Sequence, residues 1–274
     1  MYLKIFSKKD ASLRKIYNKP ITLGCHLIRI NFLSGIFMQE AHAYTAAVAQ
    51  HYAAYRPPLH CLLLETALGQ QQYEAGLDIG CGTGHSSREL TQFCQLVTGI
   101  DLHEEMLHNA PAYPNVRYAI FNGQQIPFPD QTFEIITFAG SLYYAKSVGM
   151  RNETLRVGKP EGLVLAYDFA VLLEPFLKAL GITLPETATG YNHRENFDDM
   201  PHHHLQKVEE KQWDTAVATQ WVNIAHLLLA EHAVFPVLKH IEVTQLADAL
   251  EKSFGTDKGH YSAKLYYSLY QIIH

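Results

Sequence analysis

Four cysteines among 274 residues, none paired at CxxC spacing, do not make a disulfide framework, and they point to a reduced, cytoplasmic compartment. Long apolar runs are missing too. The strongest one near the start, from Ile21 to Phe37, is interrupted by His26, Arg29 and Asn31. It is too short and too polar for a spanning helix, and no secretory-type cleavage site follows it, so stable membrane insertion is not expected. Positive charge is not in excess: 22 Lys and Arg stand against 27 Asp and Glu, a formal net charge of -5. No global basic field therefore recruits nucleic acid or an anionic membrane. Repeats and low-complexity tracts are absent. No HxH-plus-acid pattern accompanies His202-His203-His204, and consecutive strand residues point to opposite faces, so no metal site is expected.

What is present is an ordinary globular composition, 47% hydrophobic and 18% charged, in a chain long enough for one large domain or a core with an added cap. Residues 1–37 differ from the rest. They hold Lys4, Lys8, Lys9, Arg14, Lys15, Lys19 and Arg29 against the single acid Asp10, which leaves the acidic excess to the remainder. Three readings stand for this basic segment: a poorly ordered extension before a start at Met38, an accessory helix, or a targeting segment.

From residue 38 onward, helical and extended patterns alternate. Helices are expected over Gln39–Tyr55 and Leu59–Leu68, separated by Arg56-Pro57-Pro58, because proline removes donors and disfavours helix in the residue before it. Strands are expected at Ala75–Ile79, Leu96–Ile100, Val116–Phe121, Phe133–Phe138 and Leu163–Tyr167. The helices between them are Gly84–Phe93, His103–Asn109 and Met150–Val157. Such alternation implies crossovers, a mostly parallel sheet and helices on both faces. Residues 169–212 are looser and read as a small helical or loop cap over the active site. A weak strand at Leu205–Glu209, a long helix Trp213–His232 with Trp213 and Trp221 in its core, a helix Val243–Phe254 and a strand Ser262–Ile273 complete a seven-stranded α/β fold of Rossmann type. The nucleotide-binding core is expected over residues 70–168 of a 38–274 domain.

The chemistry concentrates at Leu77-Asp78-Ile79-Gly80-Cys81-Gly82-Thr83-Gly84, an apolar strand running into three glycines at spacing two and then a helix. Without side chains the turn lets a ligand approach the backbone. Ligands of open α/β sheets bind at the carboxyl ends of strands, where this turn lies. A dinucleotide fingerprint is GxGxxG. Here the third glycine comes one residue early and His85 takes its place. Asp78, two before the first glycine, repels a pyrophosphate but can anchor an ammonium. S-adenosylmethionine (SAM) brings an ammonium and no phosphate. Asp101, ending the second strand, can accept both ribose hydroxyls, a device dinucleotide folds share.

A third element, Phe121-Asn122-Gly123-Gln124-Gln125-Ile126-Pro127-Phe128 followed by Phe133-Glu134, completes a resemblance, as does Leu155-Arg156-Val157-Gly158-Lys159-Pro160 before the next strand. Over about residues 40–170 the chain resembles the class I SAM-dependent methyltransferases, in the small-molecule branch with ubiquinone-biosynthesis-like and trans-aconitate-methyltransferase-like members. That resemblance implies that Gly80, Cys81, Gly82, Thr83 and Gly84 line the cofactor and that Asp78 serves its methionine end. It implies that Asp101 holds the ribose, that Leu102 packs on the adenine, and that Asn122, Gly123 and Gln124 line the adenine pocket. Asn122 stands where the family usually has Asp. Ala139 and Gly140 would lie beside the sulfonium. Tyr143-Tyr144 replaces a frequent His-Trp or His-His pair. Tyr52, Tyr55 and Arg56 resemble a segment that closes over the cofactor.

The implied reaction is an in-line displacement, with most acceleration from positioning, up to ~7–11 kcal/mol. Candidate bases are Tyr143, Asp168, His193 and His202 to His204. The Asn/Asp-Pro-Pro-aromatic motif of enzymes that methylate bases is replaced by Ala139-Gly140-Ser141-Leu142, which disfavours nucleic acid. A small, partly apolar acceptor methylated on a carboxylate or hydroxyl is expected, from a monomer or homodimer. Two alternatives remain: an NAD-type oxidoreductase, disfavoured by the glycine spacing, and a SAM-binding regulatory or partner protein without transfer activity.

Overall fold

The computed structural model describes residues 21–23, 26–28, 46–184 and 191–273. Most of the 1–37 segment lies outside them; its described part is a short antiparallel pair, β1 (Ile21–Leu23) with β2 (His26–Ile28). The described chain forms two compact units. One is built on a sheet and comprises Pro57–Val171, Ala188–Thr215 and Ser262–His274; the other comprises Met1–Arg56, Leu172–Thr187 and Ala216–Tyr261.

The sheet has seven strands: β3 (Tyr73–Ile79), β4 (Cys94–Asp101), β5 (Val116–Ile120), β6 (Phe133–Ala139), β7 (Gly158–Val171), β8 (Leu205–Thr219) and β9 (Gly259–Ile272). Their order is β5-β4-β3-β6-β7-β9-β8. The first five run parallel, and β9 returns antiparallel to β7 with Asp168 opposite Tyr266. The strand order reverses between β3 and β6, which opens the crevice beyond the end of β3 where such sheets bind ligands. Leu77, Ile79, Ile100, Ile136, Phe138 and Val164 are buried on the two faces of these central strands, as a sheet covered on both sides requires.

The flanking helices of this unit follow from local chemistry. In α1 (Leu59–Leu68, the first helix of the sheet unit), Leu59, Leu63, Leu64 and Leu68 share one buried face, and Gly69 at φ +63° ends it. α2 (His85–Leu90) and α3 (Glu104–His108) follow β3 and β4. α4 (Leu142–Ala145) follows β6. α5 (Val148–Val157) starts at Ser147, whose hydroxyl accepts from the Met150 amide at 3.0 Å, and it buries Met150, Thr154 and Val157.

One expectation needs correction. The long helix predicted over Trp213–His232 begins only at Trp221, and residues 213–219 extend β8. Trp213, Thr215, Val217 and Thr219 are half-buried while Asp214, Ala216 and Ala218 are exposed. This is period-two burial, and the alanines that suggest helix occupy the solvent side. The β-branched residues prefer the strand.

In the second unit, α6 (Ala46–Ala54), α9 (Phe235–Leu238) and α10 (Val243–Phe254) pack on α8 (Trp221–Ala230), and α7 (Glu174–Ala179) packs on α10. The Trp221 indole stands 5.3 Å from the Phe254 ring and 6.4 Å from that of Phe176, and it donates to the Thr256 carbonyl at 2.7 Å. Trp221 is therefore a core residue of this unit. No helix among the described residues is long and apolar enough to cross a membrane.

A charged clamp fixes the turn after β5. Arg156 donates to the carbonyls of Ile126 (2.9 Å) and Phe128 (2.8 Å) and pairs with Asp130 and Glu153, while Glu153 also accepts from the Ile126 amide at 2.8 Å. Hydrogen bonds from Arg156 hold the Glu153 carboxyl below its ordinary range. Arg156→Ala is expected to cost about 2–3 kcal/mol in urea unfolding, because it leaves the buried Ile126 carbonyl without its charged donor. Glu153→Gln is expected to destabilise at neutral pH. The folded pKa of Glu153 is depressed, so its stabilisation is present above the unfolded value and is lost as pH falls through the folded one. The deficit of Glu153→Gln should therefore shrink in acid; a pH-independent deficit would contradict the clamp.

Candidate functional site

The glycine turn is held from three sides. The Gly80 and Cys81 amides both donate to the Ile100 carbonyl, at 2.8 and 3.1 Å, which ties the end of β3 to that of β4. Gly80, Gly82 and Gly84 have φ of +73°, +54° and +79°. A Cβ on Gly80 would stand 2.5 Å from Ser141 Cβ, and one on Gly84 would stand 2.0 Å from the Tyr118 hydroxyl. The protein itself fills those two faces. Gly82 differs, because its nearest neighbour would be Met106 Cε at 3.5 Å. Gly82 thus presents the open backbone face of the turn.

Asp78 is fully buried. Its Oδ2 accepts from Ser86 (2.6 Å) and Ser87 (2.7 Å), and its Oδ1 accepts from Thr137 (3.0 Å). Burial pushes the carboxyl up from its ordinary range, against the pull of those hydroxyls. The carboxylate thus bolts the start of α2 and strand β6 to β3 beneath the turn. Cys81 is buried beside it, and burial raises its thiol. Thr83 is half-buried in the turn.

Asp101 lies at the end of β4. Its Oδ2 accepts from the Gly82 amide at 2.9 Å, and its Oδ1 from the His103 amide at 2.9 Å. The turn's most open amide is therefore already engaged by a carboxylate, on the spot where a phosphate would need a free donor. Next to it Leu102 is 56% exposed, and its Cδ2 lies 3.2 Å from where a Gly123 Cβ would be. The two residues leave a flat apolar step. Asn122 Oδ1 accepts from the Gln124 and Gln125 amides at 2.9 and 3.0 Å, so it shapes the turn carrying Gly123. Open Gly82, acidic Asp101, and the Leu102–Gly123 step fit an adenosine without phosphate.

Across the crevice, Ala139 ends β6 and Gly140 follows at φ +68°, its amide bonded to the Tyr167 carbonyl. A Cβ on Gly140 would meet Asp168 Oδ1 at 3.1 Å. Asp168 Oδ1 accepts from the Phe169 amide, and Oδ2 lies 2.7 Å from His193 Nδ1 and 2.9 Å from the Tyr191 hydroxyl. That hydroxyl also lies 2.8 Å from the Gly140 carbonyl. Tyr143 and Tyr144 on α4 bring their rings to 4.8 and 5.7 Å from that of Tyr191.

The structure thus joins Asp168, His193 and Tyr143, which the sequence offered separately. Tyr191 was missed; it lies in a polar loop without periodicity, and only its register against Gly140 reveals it. Met106 and the Ser86-Ser87-Thr137 clamp were also missed, although two serines directly after a glycine turn are a visible signal. His202 and His203 stack with ring centroids 4.5 Å apart, the His204 ring is tilted against His203 at 4.0 Å, and His204 Nδ1 lies 2.8 Å from the Ile273 carbonyl. Tyr52 and Arg56 belong to the second unit, where the Arg56 guanidinium sits 3.6 Å above the Tyr52 ring, a cation–π pair. Tyr55 donates to or accepts from Tyr261 at 3.1 Å.

Residues 77–166 match the family described as a methyltransferase domain. The demethylmenaquinone methyltransferase of Tropheryma whipplei is 29% identical over 171 residues, which cover 61% of this chain and 62% of that protein. The malonyl-[acyl-carrier protein] O-methyltransferase of Yersinia pestis is 32% identical over 142 residues, 51% of each. The match thus spans about three fifths or less of these relatives' length. A solved type II methyltransferase candidate from Anaeromyxobacter dehalogenans superposes with a TM-score of 0.58 at 18% identity, over 80% of this chain and all of that one; it bears on the fold alone.

Proposed function

We propose that this chain, which belongs to the class I SAM-dependent methyltransferase superfamily and is related to its small-molecule members, transfers a methyl group from SAM to a carboxylate or hydroxyl of a small acceptor. The observation that carries the reading is the occupied amide of Gly82. The carboxylate of Asp101 already takes the turn's most open amide, which leaves no free donor there for a pyrophosphate, and SAM brings no phosphate.

In this reading Asp101 holds the ribose hydroxyls, the face of Gly82 admits the sugar, and the adenine rests between Leu102 and Gly123. Asp78 acts on the cofactor through the turn it braces. Asn122 positions Gly123 and Gln124. Ala139 and Gly140 border the reacting centre, with Tyr143 on its wall. When bound, SAM supplies a methyl carbon already activated by the sulfonium. The chain's task is then alignment and exclusion of water. In this reading the acceptor is not nucleic acid, the chain does not insert stably into a membrane, no metal takes part, and the protein works in the cytoplasm as a monomer or homodimer.

Calorimetric titration of the full chain tests the reading directly. SAM and its demethylated product are expected to bind with micromolar affinity, and NAD to give no heat. Binding of NAD with no response to SAM would sink the proposal.

A further inference from the structure

We infer that His193, oriented by Asp168, is the general base of this site, and that the acceptor it serves is a phenolic hydroxyl lying against Tyr143, Tyr144 and Tyr191. This rests on the methyltransferase reading above and narrows its acceptor.

The geometry fixes a tautomer. A carboxylate only accepts, so the proton between His193 and Asp168 sits on Nδ1, 2.7 Å from Oδ2, and the Nε2 lone pair is left available. Nε2 has no hydrogen-bond partner among the described residues, and the side chain is 38% exposed. The ring lies nearly parallel to that of Tyr266 of β9, at 15° between planes and 6.2 Å between centroids, with Tyr191 edge-on at 4.8 Å. Its loop is pinned to the sheet unit by the Lys146 pair with Glu195, by Arg151 to the Met200 carbonyl, and by Phe197 in the core. The dyad also belongs to the crevice. Gly140 contacts Asp168 on one side, and its neighbour Ser141 packs on Gly80 of the glycine turn on the other.

Acceptor class follows from what a base is needed for. A carboxylic acid is already ionised at neutral pH, gains nothing from a base, and would bring its charge towards Asp168. A phenol is acidic enough to yield its proton to an imidazole in the transition state, whereas an aliphatic alcohol is a far weaker acid. Three tyrosine rings, Tyr144 exposed to 78%, offer faces and edges on which an aromatic ring stacks. In the step, the acceptor O–H bond breaks and its proton passes to His193 Nε2. The oxygen bonds the methyl carbon as the carbon–sulfur bond breaks, and that bond's electron pair stays on the sulfur as a neutral thioether. Asp168, a positioning residue, stabilises the imidazolium until the proton is released to water. Besides Asp168, Tyr191 and Tyr266, the ionisable groups lining the cavity at this ring are, among the described residues, Arg194 and Glu195 on its loop, Glu210 and Lys211 on β8 and Tyr267 on β9.

The test uses the full chain, SAM labelled in the methyl group, and a fixed panel of phenols and aliphatic carboxylic acids. Wild type is expected to methylate phenols in preference, with a rate that falls in acid. His193→Gln should lose about 10²–10⁴-fold in kcat and the acid limb of the pH profile, with the Kd for SAM within about twofold and an unchanged thermal midpoint. Without any ligand, nitrogen spectra of the imidazoles should place the wild-type His193 proton on Nδ1, and Asp168→Asn should remove that preference. If SAM binds but His193→Gln retains a rate within threefold, or no phenol on the panel is methylated, the base assignment is overturned while the methyltransferase reading stands. If wild type does not bind SAM at all, the reading itself has failed.

Discussion

Asp101→Ala is expected to weaken SAM binding by at least about 10²-fold. In the proposed complex Asp101 accepts from two ribose hydroxyls, and hydrogen bonds to a charged group contribute about 1.5–3 kcal/mol each. Two of them amount to about 3 kcal/mol or more, and 1.4 kcal/mol is a factor of ten. The substitution also frees the Gly82 amide, which now donates to Oδ2 at 2.9 Å, and the His103 amide, which donates to Oδ1. The turn loses a brace beside the proposed ribose site, so the loss should exceed that from the ribose alone. Asp101→Asn keeps one acceptor and should lose closer to tenfold. Calorimetry with the demethylated product, which avoids turnover, reads these differences. A Kd for Asp101→Ala within threefold of wild type would mean that the ribose does not sit at the end of β4.

The second large effect is expected at Phe197. Its ring is buried, 5.7 Å from Phe138 and 5.9 Å from Tyr270, and its amide donates to the Tyr270 hydroxyl at 3.0 Å. The Tyr270 hydroxyl in turn donates to Asp198. Truncating such a ring leaves a cavity between β6 and β9, and Phe→Ala in a core costs about 3–5 kcal/mol. At about 2–4 °C per kcal/mol for a domain of this size, the midpoint should fall by roughly 6–20 °C. The more telling consequence is local. Phe197 anchors the loop that carries Tyr191 and His193, so well below the midpoint the variant should retain SAM affinity, set at the glycine turn, and lose methyl transfer. Phe197→Leu refills much of the volume and should recover most of both. Equal losses of affinity and turnover would show that the loop and the turn are not separable in this way.

How far the sequence could be read depended on the range of the interactions involved. The glycine turn, Asp101 and the Ile126-Pro127-Phe128 segment were legible because each is a local device, a strand end followed by a backbone conformation that few residues adopt. The strands β3, β4, β5 and β6 were legible for the same reason, as short apolar runs between turn signals. The extension of β8 through Trp213 was not. Its alternation of alanine with Thr and Val satisfies helix propensity and strand patterning alike, and only pairing in the sheet chose between them. The role of Asp78 was legible as acidic but not in direction. A carboxylate two residues before a glycine points either into the ligand crevice or into the fold, and Ser86, Ser87 and Thr137 decide for the fold.

The chain's own order of residues was enough to establish an α/β sheet, a glycine-lined turn at its centre and an acid at the neighbouring strand end, because strand periodicity and backbone permissiveness act over a few residues. Tertiary structure alone decided that Gly80 and Gly84 make room for Ser141 and Tyr118 while Gly82 stays open, and that His193 meets Asp168 from 25 residues away. Those facts depend on which strand lies beside which. Strand order is set by long-range burial, and a short sequence pattern carries no record of it.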